Sequence, residues 1–161
     1  MILNTLDKVI FTVLLLVFFQ LPILSNHYLQ FVSGYYSAAK IQVEGYQRNA
    51  TAYHYADVDA MIEDFKHNSN PAVRADAEQK QQTLHQFADL AQALEVLQHG
   101  NLLEKTIYIF APARWPRLNE VLKNFKPGIP LEPMVVGYSV LVALIIGGLF
   151  MWPIRRLSKA R

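Results

Sequence analysis

Two long stretches of this chain carry no charged residue: one lies between Lys8 and Lys40, the other between Glu132 and Arg155. The apolar core of a bilayer is about 30 Å thick and takes roughly 20 residues of helix to cross, so each stretch is long enough to span it. The second, "PMVVGYSVLVALIIGGLFMWPI", shows no polar face at 3.6-residue spacing. That is expected of a helix surrounded by lipid or by other helices. Tyr138 and Trp152 stand near its ends, where amphipathic rings favour the headgroup level. The first stretch changes character along its length. It is apolar from Val9 to Phe19 and becomes aromatic, small and polar after Gln20 and Pro22. This pattern predicts a transmembrane helix over residues 1–24, with Asp7 and Lys8 at the interface and Pro22 near the far end, where a kink is tolerable. A cleaved signal peptide fits less well, because the small-residue site at Ser37 to Ala39 lies too far beyond the apolar run.

Between the two stretches the pattern becomes amphipathic. Asn70 followed by Pro71 predicts a helix start, with the asparagine as cap and the proline where a missing N–H costs nothing. Downstream, Val73, Ala77, Lys80, Leu84, Phe87, Ala91 and Leu94 alternate at spacings of four and three, widened by Leu90 and Leu97. This is a narrow seam of coiled-coil type over a helix of residues 71–98, interrupted by Lys80 and stopped by Gly100 and Asn101. Residues 26–68 read as a second long helix continuing the first span, with Tyr28, Val32, Tyr35, Ala39, Gln42, Tyr46 and Tyr53 at the same spacing. A break is expected near Ala50 to Ala56, with Asp57 capping "VDAMIEDFKHN". The two seams predict an antiparallel helical hairpin. Residues 102–132 form the return to the membrane. Ile107 to Phe110 are read as helical, Pro112 and Pro116 as breaks, "RLNEVLKNF" as an amphipathic turn or two, and "KPGIPLEP" as an irregular collar.

Composition and charge then fix placement. At 161 residues the chain is about one domain long, and 52% hydrophobic residues is high for a soluble domain of that size. After the second span, residues 133–154, come Arg155, Arg156, Lys159 and Arg161, with no acid among residues 155–161. Short basic flanks stay in the cytoplasm, so this tail is expected inside, with Trp152 and the four cations as membrane anchors. Two spans place the N-terminus inside as well and residues 25–132 in the periplasm. The fold class expected is an all-α membrane protein, two transmembrane helices flanking a periplasmic antiparallel helical hairpin. There is no cysteine, which removes disulfides, thiolate nucleophiles and Cys-ligated metals from consideration.

Candidate chemistry is sparse. His85 and Asp89 stand one helical turn apart, with Glu78 and Gln82 behind them, a spacing that suits two metal ligands on one face. A solvated helix face explains them as simply. "YHYADVD" places His54 near Asp57 and Asp59, but a capping role already accounts for Asp57. No Gly-x-Ser-x-Gly elbow, phosphate-binding glycine loop or basic nucleic-acid stripe occurs. No catalytic, cofactor-binding or metal-binding residue is assigned, and no cofactor is expected. An enzyme would need a site at the collar built on His27, His54 or Arg114. Association signals are more specific. Ser139, Ala143 and Gly147 recur every four residues, with Gly148 broadening the groove, and such ladders let helix backbones approach closely. Their partner is either the first span of the same chain or another subunit. Tyr28, Tyr35, Tyr36, Tyr46, Tyr53 and Tyr55 crowd the first long helix, some as core and the rest as a contact surface.

The order of "QLPIL", "FVSGYYSAAKIQVEGYQRNA", "NSNPAVRA" and "LNEVLKNFKPGIPLEP", leading into a Gly-rich span with a basic end, resembles an uncharacterised bacterial inner-membrane family, domain of unknown function 2937. The resemblance covers nearly the whole chain. It implies an inner-membrane location in a bacterium and transfers no functional residue. The function expected is therefore non-enzymatic: an accessory, assembly or scaffolding subunit using the hairpin seam (Val73, Ala77, Leu84, Phe87, Ala91, Leu94) and the second span. Its partners would be lipids together with another integral membrane protein or copies of itself, and not nucleic acid. A periplasmic sensory or ligand-binding module acting through a separate partner is the alternative, because receptors share this order of span, helices, span and basic flank.

Overall fold

The computed structural model describes the backbone of residues 2–129 and 133–159, and the side chains of 8–129 and 133–149. Six α-helices account for most of it: α1 (Ile2–Ala52), α2 (Val58–Lys66), α3 (Pro71–His99), α4 (Leu102–Phe110), α5 (Trp115–Lys123) and α6 (Pro133–Lys159). A 3-10 turn, Pro112–Arg114, joins α4 to α5. No strand occurs among the described residues. The chain forms two compact units, one of Met1–Tyr28 with Leu102–Arg161 and the other of Leu29–Asn101. The first half of α1 belongs to the former and its second half to the latter.

Local chemistry sets the helix ends. Within residues 26–68, where a break is expected near Ala50 to Ala56, α1 ends at Ala52 and α2 begins at Val58. Tyr55 N–H donates to the Ala50 carbonyl (2.9 Å) and His54 N–H to that of Thr51 (3.2 Å). These two bonds close a helix in the Schellman arrangement, whose penultimate residue is left-handed, and His54 sits there at φ 61°. Two caps follow. Asp57 accepts from Ala60 N–H at 2.7 Å and Asn70 from Ala72 N–H at 3.0 Å, with Pro71 opening α3. Arg74 Nη1 clamps the intervening turn by donating to the carbonyls of Asn68 and Ser69.

In the unit Leu29–Asn101, α1 and α3 run in opposite directions: Tyr36 stacks on Phe87 with centroids 4.9 Å apart, and Lys80 lies over the Tyr46 ring. Val32, Ala39, Val43 and Ala50 supply the buried stripe of α1, Met61 and Ile62 that of α2, and Ala77, Leu90, Ala93 and Leu97 that of α3. On α1 the stripe runs through Val43 in place of Gln42, which is exposed along with Tyr35 and Tyr53. On α3 the seam departs from its expected register. Ala77 is buried and Val73, Leu84, Phe87 and Leu94 are half-buried, but Ala91 is exposed while Leu90 and Ala93 are covered. From Phe87 through Leu90 to Ala93 the covered positions step by three before a step of four to Leu97, and each step of three turns back by about 60° on a helix of 3.6 residues per turn. The core stripe therefore winds around α3, as it does when a partner helix crosses obliquely along an i±3 ridge and not along a straight seam. Lys80, the seam's apparent interruption, is paired: its Nζ reaches both Asp76 oxygens at 2.7 Å.

In the other unit, Ile109 of α4 and Leu118 and Val121 of α5 are buried. The segment after α5 is tied to α1 by Gln20. Its Nε2 donates to the Gly128 carbonyl and its Oε1 accepts from the Gly128 N–H, both at 3.1 Å. This satisfies both backbone polar groups of a residue outside regular secondary structure, and a Cβ on Gly128 would meet Ile23 Cδ1 at 3.4 Å. One polar side chain in the apolar stretch is thereby explained. Gln20→Leu removes both hydrogen bonds to Gly128, each worth about 0.5–1.5 kcal/mol net. The expected result is a lowered melting temperature of the full chain in detergent, with an unchanged one counting against the clamp.

α1 continues through Pro22 and is long and apolar enough to cross a membrane. Val9, Val13, Leu16 and Val17 are exposed on it, as are Leu141, Leu144, Ile145 and Leu149 on α6. The described apolar part of α6 runs from Pro133 to Leu149. The helix continues beyond the expected span of residues 133–154, to Lys159. Pro153 interrupts one hydrogen bond without stopping it, which helices of this apolar type tolerate.

Candidate functional site

The first candidate is a groove of about 410 Å³ along the α1–α3 pair. α1 lines it with Tyr35, Ala38, Ala39 and Gln42, and α3 with Gln79, Gln82, Thr83 and Gln86. The four α3 positions fall at i, i+3, i+4 and i+7, one helical face. In the sequence alone these positions read as a solvated surface, because they are polar residues beside a seam. A signal was present: between Lys80 and Asp89 the α3 sequence is "QQTLHQFA", amide-rich with no carboxylate, lysine or arginine. Amides offer both donors and acceptors without a charge to desolvate, which suits a polypeptide surface better than an ion.

A second cavity, about 420 Å³, lies at the α1–α2 turn, lined among others by Gln47, Thr51, Tyr55, Asp57, Asp59 and Leu84. Tyr55 donates its hydroxyl to Asp64 Oδ2 at 2.6 Å and meets Phe65 edge-on. That hydrogen bond to a carboxylate, and secondarily desolvation and the carboxylate's charge, raise the phenol above its ordinary value. The phenol of the folded chain thus holds its proton to higher pH than that of the unfolded chain. Its stabilising contribution is complete below about pH 10, the unfolded tyrosine value, and is lost as pH rises through the higher folded value. Tyr55→Phe is expected to be less stable than the parent at pH 8 and to narrow the gap as pH rises beyond 10, read by thermal melting. A gap constant with pH would contradict the assignment.

The other sequence candidates are dispersed. His85 is exposed and does not line the groove; Asp89 is half-buried. Among the described residues no three His, Asp or Glu side chains converge as a metal site. His54 serves as the left-handed cap of α1. His27 packs its ring edge-on to Phe125 at 5.6 Å, and Arg114 lies over the Tyr108 ring at 4.8 Å.

The small-residue ladder of α6 is occupied within the chain. Ser139 and Ala143 are fully buried, and a Cβ on Gly147 would meet Leu14 Cδ1 of α1 at 3.9 Å. Gly148 is exposed with nothing within 4 Å, so it does not belong to the packed face. Among the described residues the buried hydroxyls of Ser25 and Ser139 have no hydrogen-bond partner, so both act by small size. The expected anchors Trp152, Arg155, Arg156 and Lys159 lie on the α6 backbone, but their side chains, and Arg161 altogether, lie outside the described residues.

Neither the curated proteins nor the solved structures include a significant match to this chain. A family model does match, over residues 2–161, and its description is that of a protein of unknown function. With the match covering all but the first residue, the chain belongs to the DUF2937 family.

Proposed function

We propose that this protein is a non-enzymatic accessory, assembly or scaffolding subunit of the bacterial inner membrane. It crosses the bilayer twice, through α1 and α6, with both termini cytoplasmic and the helix pair of Leu29–Asn101 in the periplasm. The observation that carries the reading is the amide-lined groove along α1 and α3, with Tyr35 half-exposed at its edge. A neutral groove flanked by a large amphipathic ring is the kind of surface into which a partner helix or extended segment docks. The helix pair carries five Lys or Arg against nine Asp or Glu, a net charge of −4 over residues 29–101, which favours a partner with a basic face. The α6 ladder already packs within the chain, which supports a partner site on the helix pair over one on the small face of the second span.

The test is gentle extraction at native expression level, mass determination of the intact complex and identification of what co-purifies. A stoichiometric second protein that is lost from Gln82→Lys/Gln86→Lys, with melting unchanged, is the expected result. A monomer carrying a small molecule in place of a protein would overturn it in favour of a ligand-binding sensory module, with the cavity at Tyr55 as the site to examine.

A further inference from the structure

The membrane-return segment carries a surface that neither the spans nor the groove uses. On α4, Leu103, Ile107 and Phe110 fall at i, i+4 and i+7 and are 60%, 64% and 47% exposed; on α5, Trp115 and Leu122 are 56% and 46% exposed at i and i+7. Five large apolar side chains on two consecutive short helices exceed the scattered exposure usual on a soluble surface. The Trp115 Nε1–H donates to the Phe110 carbonyl at 3.1 Å, so the indole's polar atom is satisfied and its ring is free to enter an apolar phase. Charge is segregated along the chain in the same way. Residues 102–129 hold Lys105, Arg114, Arg117, Lys123 and Lys126 against Glu104 and Glu120, a net +3, where residues 29–101 stand at −4. These helices belong to the unit that contains the apolar half of α1 and all of α6.

We propose that α4 and α5 form an interfacial element that lies on the membrane surface. Leu103, Ile107, Phe110 and Trp115 enter the headgroup and acyl boundary, and the flanking cations meet anionic lipid headgroups. Amphipathic helices with apolar aromatic and aliphatic residues on one side and Lys or Arg on the other bind interfaces in this way. The exposed apolar surfaces of α1 and α6 in the same unit give the proposal its occupant: lipid, and not a second protein. The inference rests on the membrane-spanning reading above and adds a lipid-recognition function to it.

The experiment uses the full chain reconstituted in vesicles, with tryptophan as reporter. Trp152→Phe leaves Trp115 as the sole indole. A control chain, Trp115→Phe/Trp152→Phe/Leu144→Trp, places the sole indole in the span. Phospholipids brominated near the headgroup or near the chain end serve as quenchers, with iodide as the aqueous one. The expected result is Trp115 quenched at least twofold more by shallow than by deep bromines, shielded from iodide, and quenched more in vesicles containing phosphatidylglycerol than in phosphatidylcholine alone. Lys123→Gln/Lys126→Gln should lower that preference. Trp115 open to iodide and untouched by bromolipid overturns the proposal. So does quenching that depends on the protein-to-lipid ratio, which marks a second copy on the surface, and so does equal quenching in the two lipids, which removes the headgroup-charge component. Failure of the control indole to be quenched by deep bromines would instead overturn the spanning reading itself.

Discussion

Leu90→Ala is expected to destabilise the α1–α3 pair by about 2–5 kcal/mol, while Ala91→Asp, one residue further along, changes stability by less than about 0.5 kcal/mol. Leu90 is 1% exposed in the core stripe of α3, so removing its side chain leaves either a cavity or a collapse that strains its neighbours. Ala91 is exposed, and a carboxylate placed there stays in water. The contrast is sharp because the sequence pattern orders the two the other way: a strict four-three alternation makes Ala91 the seam and Leu90 its margin. Thermal melting of the full-length variants in detergent, followed by circular dichroism, separates the two registers. If Ala91→Asp proved the more damaging, the obliquely winding core stripe would be wrong.

The second large effect is expected on α6. Ala143 is fully buried in the ladder, and Ala143→Phe forces a large ring into a contact built for a methyl group; overpacking of this kind costs about 1–3 kcal/mol and more where backbones are close. Gly148→Leu, on the exposed side of the same helix, is expected to be neutral. The natural chain has no cysteine, which makes the readout clean. With Leu14→Cys and Gly147→Cys introduced, a short bifunctional thiol reagent should link α1 to α6 in the otherwise unaltered chain and in Gly148→Leu, but poorly in Ala143→Phe. Efficient linking in all three would mean that Ala143 does not set the contact.

What could be read from the sequence was what is encoded within a few residues. Asn70-Pro71 and Asp57 marked helix starts because a cap is a local hydrogen bond, and the division of α1 from α2 fell where polar residues replace the stripe. The apolar character of α1 was equally plain, being a property of composition. The register of α3 was not, because it depends on the angle at which another helix crosses, and angle is set by side chains on both partners. Lys80 interrupts the seam by spacing alone, and its place there depends on Asp76 and the Tyr46 ring, which hold it. Gln20 looked like the end of an apolar run, and its role depends on Gly128, more than a hundred residues away. The amide groove is a similar case: four glutamine and threonine positions on α3 acquire meaning only once Tyr35 and Gln42 of α1 lie opposite.

The most direct test of placement is impermeant-thiol labelling of single cysteines in a chain that has none of its own. Gln82→Cys sits in the groove, and Ser158→Cys lies near the far end of α6. In intact bacterial cells, with a maleimide that passes the outer but not the inner membrane, position 82 should label fully and position 158 only after the inner membrane is permeabilised. Labelling of position 158 in intact cells, or protection of position 82 until permeabilisation, would contradict a two-span protein that holds its helix pair in the periplasm.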